Sequence, residues 1–165
     1  MCNIFYVMEK LRNTFRKGYS IAQLHRLEHT YEVQWHDEIY DADYRKFQTI
    51  GSVIVPVKNV RSKILGVGWV EINKTPHYKF LKDSCDGDRE YSQYVLDFYG
   101  SAEASYSLER FNSLESHLQN RPDRRTLLGR LRRPRDNNVY LVDGAHRAAL
   151  LVAQGTEELS IEITF

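Results

Sequence analysis

The stretch Val139-Tyr140-Leu141-Val142-Asp143-Gly144-Ala145-His146-Arg147-Ala148-Ala149-Leu150-Leu151 decides how the chain is read. Val139 to Val142 are apolar or aromatic, which predicts a strand covered on both faces. Ala145, Ala148, Ala149 and Val152 recur at helical spacing, and Gly155 stands where a helix end favours positive φ. Between the two, Asp143-Gly144 marks a sharp turn, because glycine lets the backbone bend and a ligand approach closely. The first amides of a helix lack intrahelical partners and lie at the positive end of its dipole, so this junction is a candidate anion site. His146 and Arg147 occupy that first turn against the usual preference for acidic residues there. An anionic ligand is the natural compensation.

The box Asp-Gly-Ala-His-Arg, followed by Ala-Ala, resembles the signature of the ParB/sulfiredoxin superfamily, most closely its small-molecule kinases of the free-serine-kinase type. The resemblance spans about residues 66–165. It implies that Gly144, Ala145, His146 and Arg147 cradle nucleotide phosphates. It also implies that Asp143 is a catalytic or magnesium-binding carboxylate, with ATP and Mg2+ as cofactors. The competing reading is an ordinary helix with Asp143 as a solvated cap and Arg147 as a surface charge. Sulfiredoxin chemistry is excluded by Ala145, which stands where the reactive cysteine of those enzymes would be. ParB proteins carry a DNA-binding helix-turn-helix after the box, and only eighteen residues follow Arg147 here.

The Pro76-His77 pair is similar to a Pro-His pair in the same kinases, where an acidic residue follows closely as catalytic base. Tyr78 and Lys79 hold those places in this chain, so that base is not carried over. His77 is a candidate ligand to substrate or phosphate, against the alternative of a surface loop histidine. Asp83, Asp86 and Asp88, around Gly87, are the nearby candidates for the missing base, against the alternative of a solvated acidic turn. Tyr91, Tyr94, Val95, Phe98 and Tyr99 recur at helical spacing as a core stripe, with Tyr91 or Tyr94 a candidate for the substrate pocket. Ser107 is positioned to cap a helix carrying Leu108, Phe111, Leu114 and Leu118.

An arginine-rich segment follows, from Arg121 to Arg135. Arginine's planar donors suit phosphate or sugar-phosphate recognition, and Arg130 is the candidate substrate contact. Nucleic-acid backbone binding also fits, but no aromatic residues are interleaved for base stacking, so nucleic acid is not the expected partner. An exposed arginine hairpin is the third reading. Leu127 to Leu131 forms the expected partner strand of Val139–Val142, with Asp136-Asn137-Asn138 as turn chemistry. Alternation over Leu159, Ile161, Ile163 and Phe165 predicts a final half-buried strand. Earlier in the chain, Ile50–Val57 and Ile64–Ile72 read as strands, the first ended or confined to an edge by Pro56 and the second bent at Gly66 and Gly68.

Upstream, the segment around Ile4 to Phe15 is helix-prone, and Ser20 caps a second short helix. His25 and His29 lie one helical turn apart, but no acidic or cysteine ligand falls at a recognised metal spacing, which favours solvated histidines. The 165 residues suit one hydrophobic core, and the net charge of +1 gives no general attraction to nucleic acid or membrane. Cys2 and Cys85 have neither disulfide nor metal spacing, which points to a reducing, cytoplasmic setting. No stretch is long enough to span a bilayer.

The expectation is therefore an α/β protein. Residues 1–50 would form an N-terminal helical extension packed on the core, and 51–165 a compact mixed-sheet ParB/sulfiredoxin-like nucleotide-binding domain. The expected activity is ATP- and magnesium-dependent phosphorylation of a hydroxyl on a sugar, polyol or amino acid. The alternative is a nucleotide-binding regulatory or DNA-associated module without catalysis.

Overall fold

The computed structural model describes residues 19–42, 47–83, 89–101, 106–121, 126–133 and 135–164. In chain order the elements are α1 (Ile21–Thr30), β1 (Glu32–Ala42), β2 (Phe47–Pro56), β3 (Val60–Ile64), β4 (Gly68–Glu71), α2 (Pro76–Asp83), α3 (Tyr91–Tyr99), α4 (Leu108–Asn120), β5 (Leu127–Arg130), β6 (Val139–Asp143), α5 (Ala145–Ala153) and β7 (Glu158–Thr164). Among the described residues all seven strands share one mixed sheet, in the order β1-β2-β7-β5-β6-β3-β4. β5 runs parallel to β7 and β3 parallel to β6, and the other neighbours are antiparallel. The protein is thus mixed α/β.

Alternation places the core. Val53 pairs with Ile161 and Val55 with Leu159, so these side chains share one face of the sheet. Leu127, Val139, Leu141 and the helix residues Ala148 and Ala149 are buried in the same cluster. The alanines let α5 lie close to the sheet, since neither carries more than a methyl group. A second cluster of Phe80, Tyr91, Tyr94, Val95 and Phe111 joins α2, α3 and α4, as the stripe predicts for Tyr91, Tyr94 and Val95. Tyr99 is only partly buried against it, and Phe98, expected in the core, is 60% exposed.

α1 begins in a full capping box: the Ser20 hydroxyl accepts from the Gln23 amide at 3.3 Å, and the Ser20 amide donates to Gln23 Oε1 at 2.9 Å. β5 and β6 form the expected antiparallel pair, and Asp136 shapes the connection by accepting from the Asn138 amide at 2.9 Å. Pro56 closes β2, which is an interior strand, so proline's missing donor falls at a strand end.

Two expectations are corrected. Residues 32–42, expected to belong to a helical extension, form strand β1, with a register shift between Trp35 and Tyr40. β1 pairs with β2, and β2 itself crosses residue 50, so this part of the chain is built into the common sheet. Side-chain period decides here: in a strand Val33 and Trp35 point the same way, which buries Trp35 and packs Val33 against the same core. Ile64–Ile72 is likewise not one bent strand. Gly66 and Gly68 have φ of 77° and 106° and make a turn between β3 and β4, since only glycine adopts such angles cheaply. The helix expected over Ile4–Phe15 lies outside the described residues. Among the described residues no helix is long and apolar enough to cross a membrane.

Candidate functional site

The parallel strands β3 and β6 end side by side, and the crevice beyond the carboxyl ends of such strands is where α/β sheets take ligands. A cleft of about 440 Å³ opens there. β3 supplies Ser62 and Lys63, and β6 with its turn supplies Leu141, Val142, Asp143 and Gly144. α5 contributes Ala145, His146 and Arg147, while α4 and the residue two before it contribute Leu114, His117, Leu118 and Tyr106. The lining combines aliphatic side chains with charged ones.

Gly144 is the N-cap of α5, with φ 94° and ψ 21°, and no side chain caps the helix. A Cβ at Gly144 would stand 2.6 Å from Leu127 Cδ2 and 3.3 Å from an Arg147 guanidinium nitrogen. Glycine is therefore required twice, by the backbone angle and by the space. The Gly144 carbonyl accepts from the Ala148 amide at 2.8 Å, which begins the helical pattern. The amides of Ala145, His146 and Arg147 precede that first bond and carry the positive end of the helix dipole. No acidic residue lies in the first turn. Arg147 donates to Asp143 Oδ2 at 2.9 Å, and both side chains are about one-sixth exposed. The i,i+4 spacing carries the pair across the turn.

His146 is wrapped by rings. Tyr106 stacks on it at 4.1 Å between centroids, His77 meets it edge to face at 4.2 Å, and Phe111 and Tyr91 lie at 5.5 and 5.6 Å. Two backbone contacts hold Tyr106 in place. The Tyr91 amide donates to the Tyr106 carbonyl, and Glu90 bridges to Ser107. Burial pushes the His146 imidazole down to a pKa of about 4, with the Asp143 carboxylate pulling weakly upward. Burial, helped by His146, pushes His77 down to about 3. Both rings are neutral at physiological pH. His146 Nε2 and His77 Nδ1 are buried without hydrogen-bond partners among the described residues.

The structure brings the residues of the box together at the cleft: Asp143, Gly144, Ala145, His146 and Arg147 all line it. The other candidates lie elsewhere. His77 is not in a surface loop but in the first turn of α2, 4% exposed, and reaches the site only through the His146 ring. Asp83 is exposed at the far end of α2, where its carboxylate accepts from the Tyr94 hydroxyl at 3.3 Å. Asp86 and Asp88 lie outside the described residues. Tyr91 is fully buried in the aromatic cluster and does not line the cleft. Arg130 pairs with Tyr140, three positions along β6 from Asp143, and is not part of the lining.

Sequence reasoning missed Ser62, Lys63, Tyr106 and His117. Tyr106 had a legible signal: it precedes the Ser107 cap and packs on Phe111 at 4.7 Å, the staple pattern of a helix start. Lys63 had none, because its place depends on pairing between strands far apart in the chain. Among the described residues no group of three or more histidine, cysteine or acidic side chains is placed to hold a metal ion. His25 and His29 stack at 6.2 Å on α1. Searches against protein-family models, curated proteins and solved structures found no match to this chain, so the reading of the site rests on its residues and geometry.

Proposed function

We propose that the protein is an ATP- and magnesium-dependent phosphotransferase of the ParB/sulfiredoxin-like kind, acting on a hydroxyl of a small molecule such as a sugar, polyol or amino acid. One observation carries the reading: an uncapped helix start behind an obligatory glycine, the Arg147–Asp143 pair and Lys63 all line one cleft at a parallel strand end. The resemblance of residues 143–149 to the kinase box points the same way.

Each part has a physical task. The free amides at the start of α5 bind phosphate oxygens, and Arg147 and Lys63 neutralise their charge from two sides. The aliphatic side chains of Leu114, Leu118 and Leu141 in the lining accommodate the apolar faces of a nucleoside. Magnesium, when bound, spreads the charge of the transferring phosphoryl group. Asp143 fits it as the protein ligand, since this ion commonly takes one or two carboxylates and fills its shell with water and phosphate oxygens. Asp143 is also the carboxylate placed to accept the hydroxyl proton of the acceptor. His146, neutral and partly enclosed by rings, lines the phosphate side without adding charge.

A second reading, nucleotide binding without catalysis, draws on the Asp143–Arg147 bond, because a carboxylate already engaged by arginine is less available to a metal or a proton. Two variants test the nucleotide site and the carboxylate, and transfer by the wild type separates the readings. Arg147→Ala removes charge-assisted contacts worth about 1.5–3 kcal/mol, so calorimetry should show ATP affinity down by roughly 10- to 150-fold. Asp143→Asn keeps size and capping ability but removes the charge. In assays with labelled ATP, magnesium and a panel of alcohols, its phosphoryl transfer should fall by orders of magnitude while nucleotide still binds. Wild-type protein that binds ATP and transfers nothing to any alcohol supports the second reading.

A further inference from the structure

Beside the cleft, the other face of the sheet carries a second combination of residues, and Lys63 stands at the border between the two. Cross-strand partners point to the same face. Arg61 pairs with Tyr140, Arg130 with Tyr140, and Lys63 with Trp69, so these five side chains share one face across β5, β6, β3 and β4. The opposite face holds Val60 and Val139, buried in the core. Arg132, just beyond β5, swings over the same group: its guanidinium lies 5.0 Å from the Trp69 ring centroid and 5.6 Å from that of Tyr140. The two rings meet edge to face at 5.0 Å.

We propose that this face binds single-stranded nucleic acid, with bases stacking against the Trp69–Arg132 pair and phosphates passing Arg61, Lys63 and Arg130. Charge complementarity carries the choice of occupant. Among the described residues the ion pairs are His36–Glu162, Lys74–Glu71, Arg89–Asp97 and Arg147–Asp143, so none of these four cations is matched by a carboxylate. The acids nearby are already engaged: Glu71 by Lys74 at 3.1 Å, and Asp136 by the Tyr140 hydroxyl and Asn138. Lys63, Arg130 and Arg132 are exposed. Aromatic rings and guanidinium planes on a cationic sheet face are the means by which unstacked bases and their backbone are held together. The arginine-rich segment lacks aromatics of its own, and the sheet supplies them from β4 and β6. A duplex hides its base faces and gains only the phosphate contacts. Four strands span about 14 Å, enough for two or three nucleotides, so the affinity is modest.

The experiment is fluorescence anisotropy with labelled 12-mers of oligothymidine and oligouridine at low salt, using the full chain. Expected are micromolar binding that weakens with salt, weaker binding of duplex, and quenching of Trp69 emission. Arg132→Gln, an exposed change that leaves the fold intact, should weaken binding about tenfold, as should Trp69→Ala, while Trp69→Phe retains it. Neither position lies in the cleft, so ATP affinity should be unchanged in both, whatever the fate of the kinase reading. Absence of binding to both oligomers overturns the proposal. So does binding indifferent to Arg132→Gln and Trp69→Ala. So does a preference for anionic phospholipid vesicles over the oligomers, the competing occupant given that Leu65 and Val67 are exposed on the adjoining turn.

Discussion

At the level of single residues, the least ordinary feature is the pair His77 and His146. Each imidazole hides a nitrogen without a partner among the described residues, and a buried polar group left so costs about 1–3 kcal/mol. Their pKa values in the folded protein, about 3 and about 4, lie below the ordinary 6.5. The unfolded chain therefore takes up protons below pH 6.5 that the folded chain refuses. The stability associated with the neutral pair is complete above that pH and is lost as pH falls toward the folded values. The loss approaches about 1.4 kcal/mol per pH unit for each histidine. Melting temperature should be flat above pH 7 and decline between pH 6.5 and 4. His77→Phe keeps a ring against His146 and Tyr91 but removes the orphaned nitrogen and one titrating group. It should leave the melting temperature at pH 7 unchanged or higher, and make the acid slope shallower. A variant that melts several degrees lower at pH 7 with an unchanged slope would show that the His77 nitrogens are satisfied in the folded protein.

At the level of elements, the strand–turn–helix of β6 and α5 joins backbone strain and crowding at one glycine. Gly144 and Gly155 both have strongly positive φ, 94° and 96°, and so both resist a Cβ. Only Gly144 is crowded, since a Cβ at Gly155 would meet nothing within 4 Å. Gly155→Ala should cost about 1 kcal/mol from backbone strain alone. Gly144→Ala should cost clearly more, because Leu127 must also move, and chemical denaturation of the two variants measures the difference. Equal losses would mean that Leu127 yields freely and that the turn is looser than its contacts imply. This turn was legible in the sequence because its signals are local: an apolar run, a glycine and a helical period within thirteen residues. β1 was not, because mixed polar and aromatic residues in Tyr31–Phe47 take their order from pairing with β2. Lys63 and Trp69 were not legible as site residues for the same reason. Parallel pairing of β3 with β6, across some eighty residues of chain, sets which side chains share a face, and no short-range period records it.

For the molecule as a whole, the cleft draws on the parallel strands β3 and β6 and on α4 and α5, and α5 buries Ala148 and Ala149 in the core. A ligand bound there touches elements that separate only when the sheet opens, so its binding energy should appear in global unfolding and not merely in fraying of one loop. The size of the effect follows from linkage. A ligand at one hundred times its dissociation constant adds about 2.7 kcal/mol, and in a chain of this length each kcal/mol moves the midpoint by about 2–4 °C. Magnesium-ATP at that excess should thus raise the melting temperature by roughly 5–10 °C in a single cooperative transition. At the same concentration the gain should fall to about half or less in Arg147→Ala, whose site is about tenfold or more weaker, and persist in full in Arg132→Gln, whose change lies on the sheet face. A wild-type melt that ATP leaves in place would remove the nucleotide from the cleft. A shift confined to an early minor phase would instead mean that the cleft belongs to a part of the molecule that unfolds before the sheet.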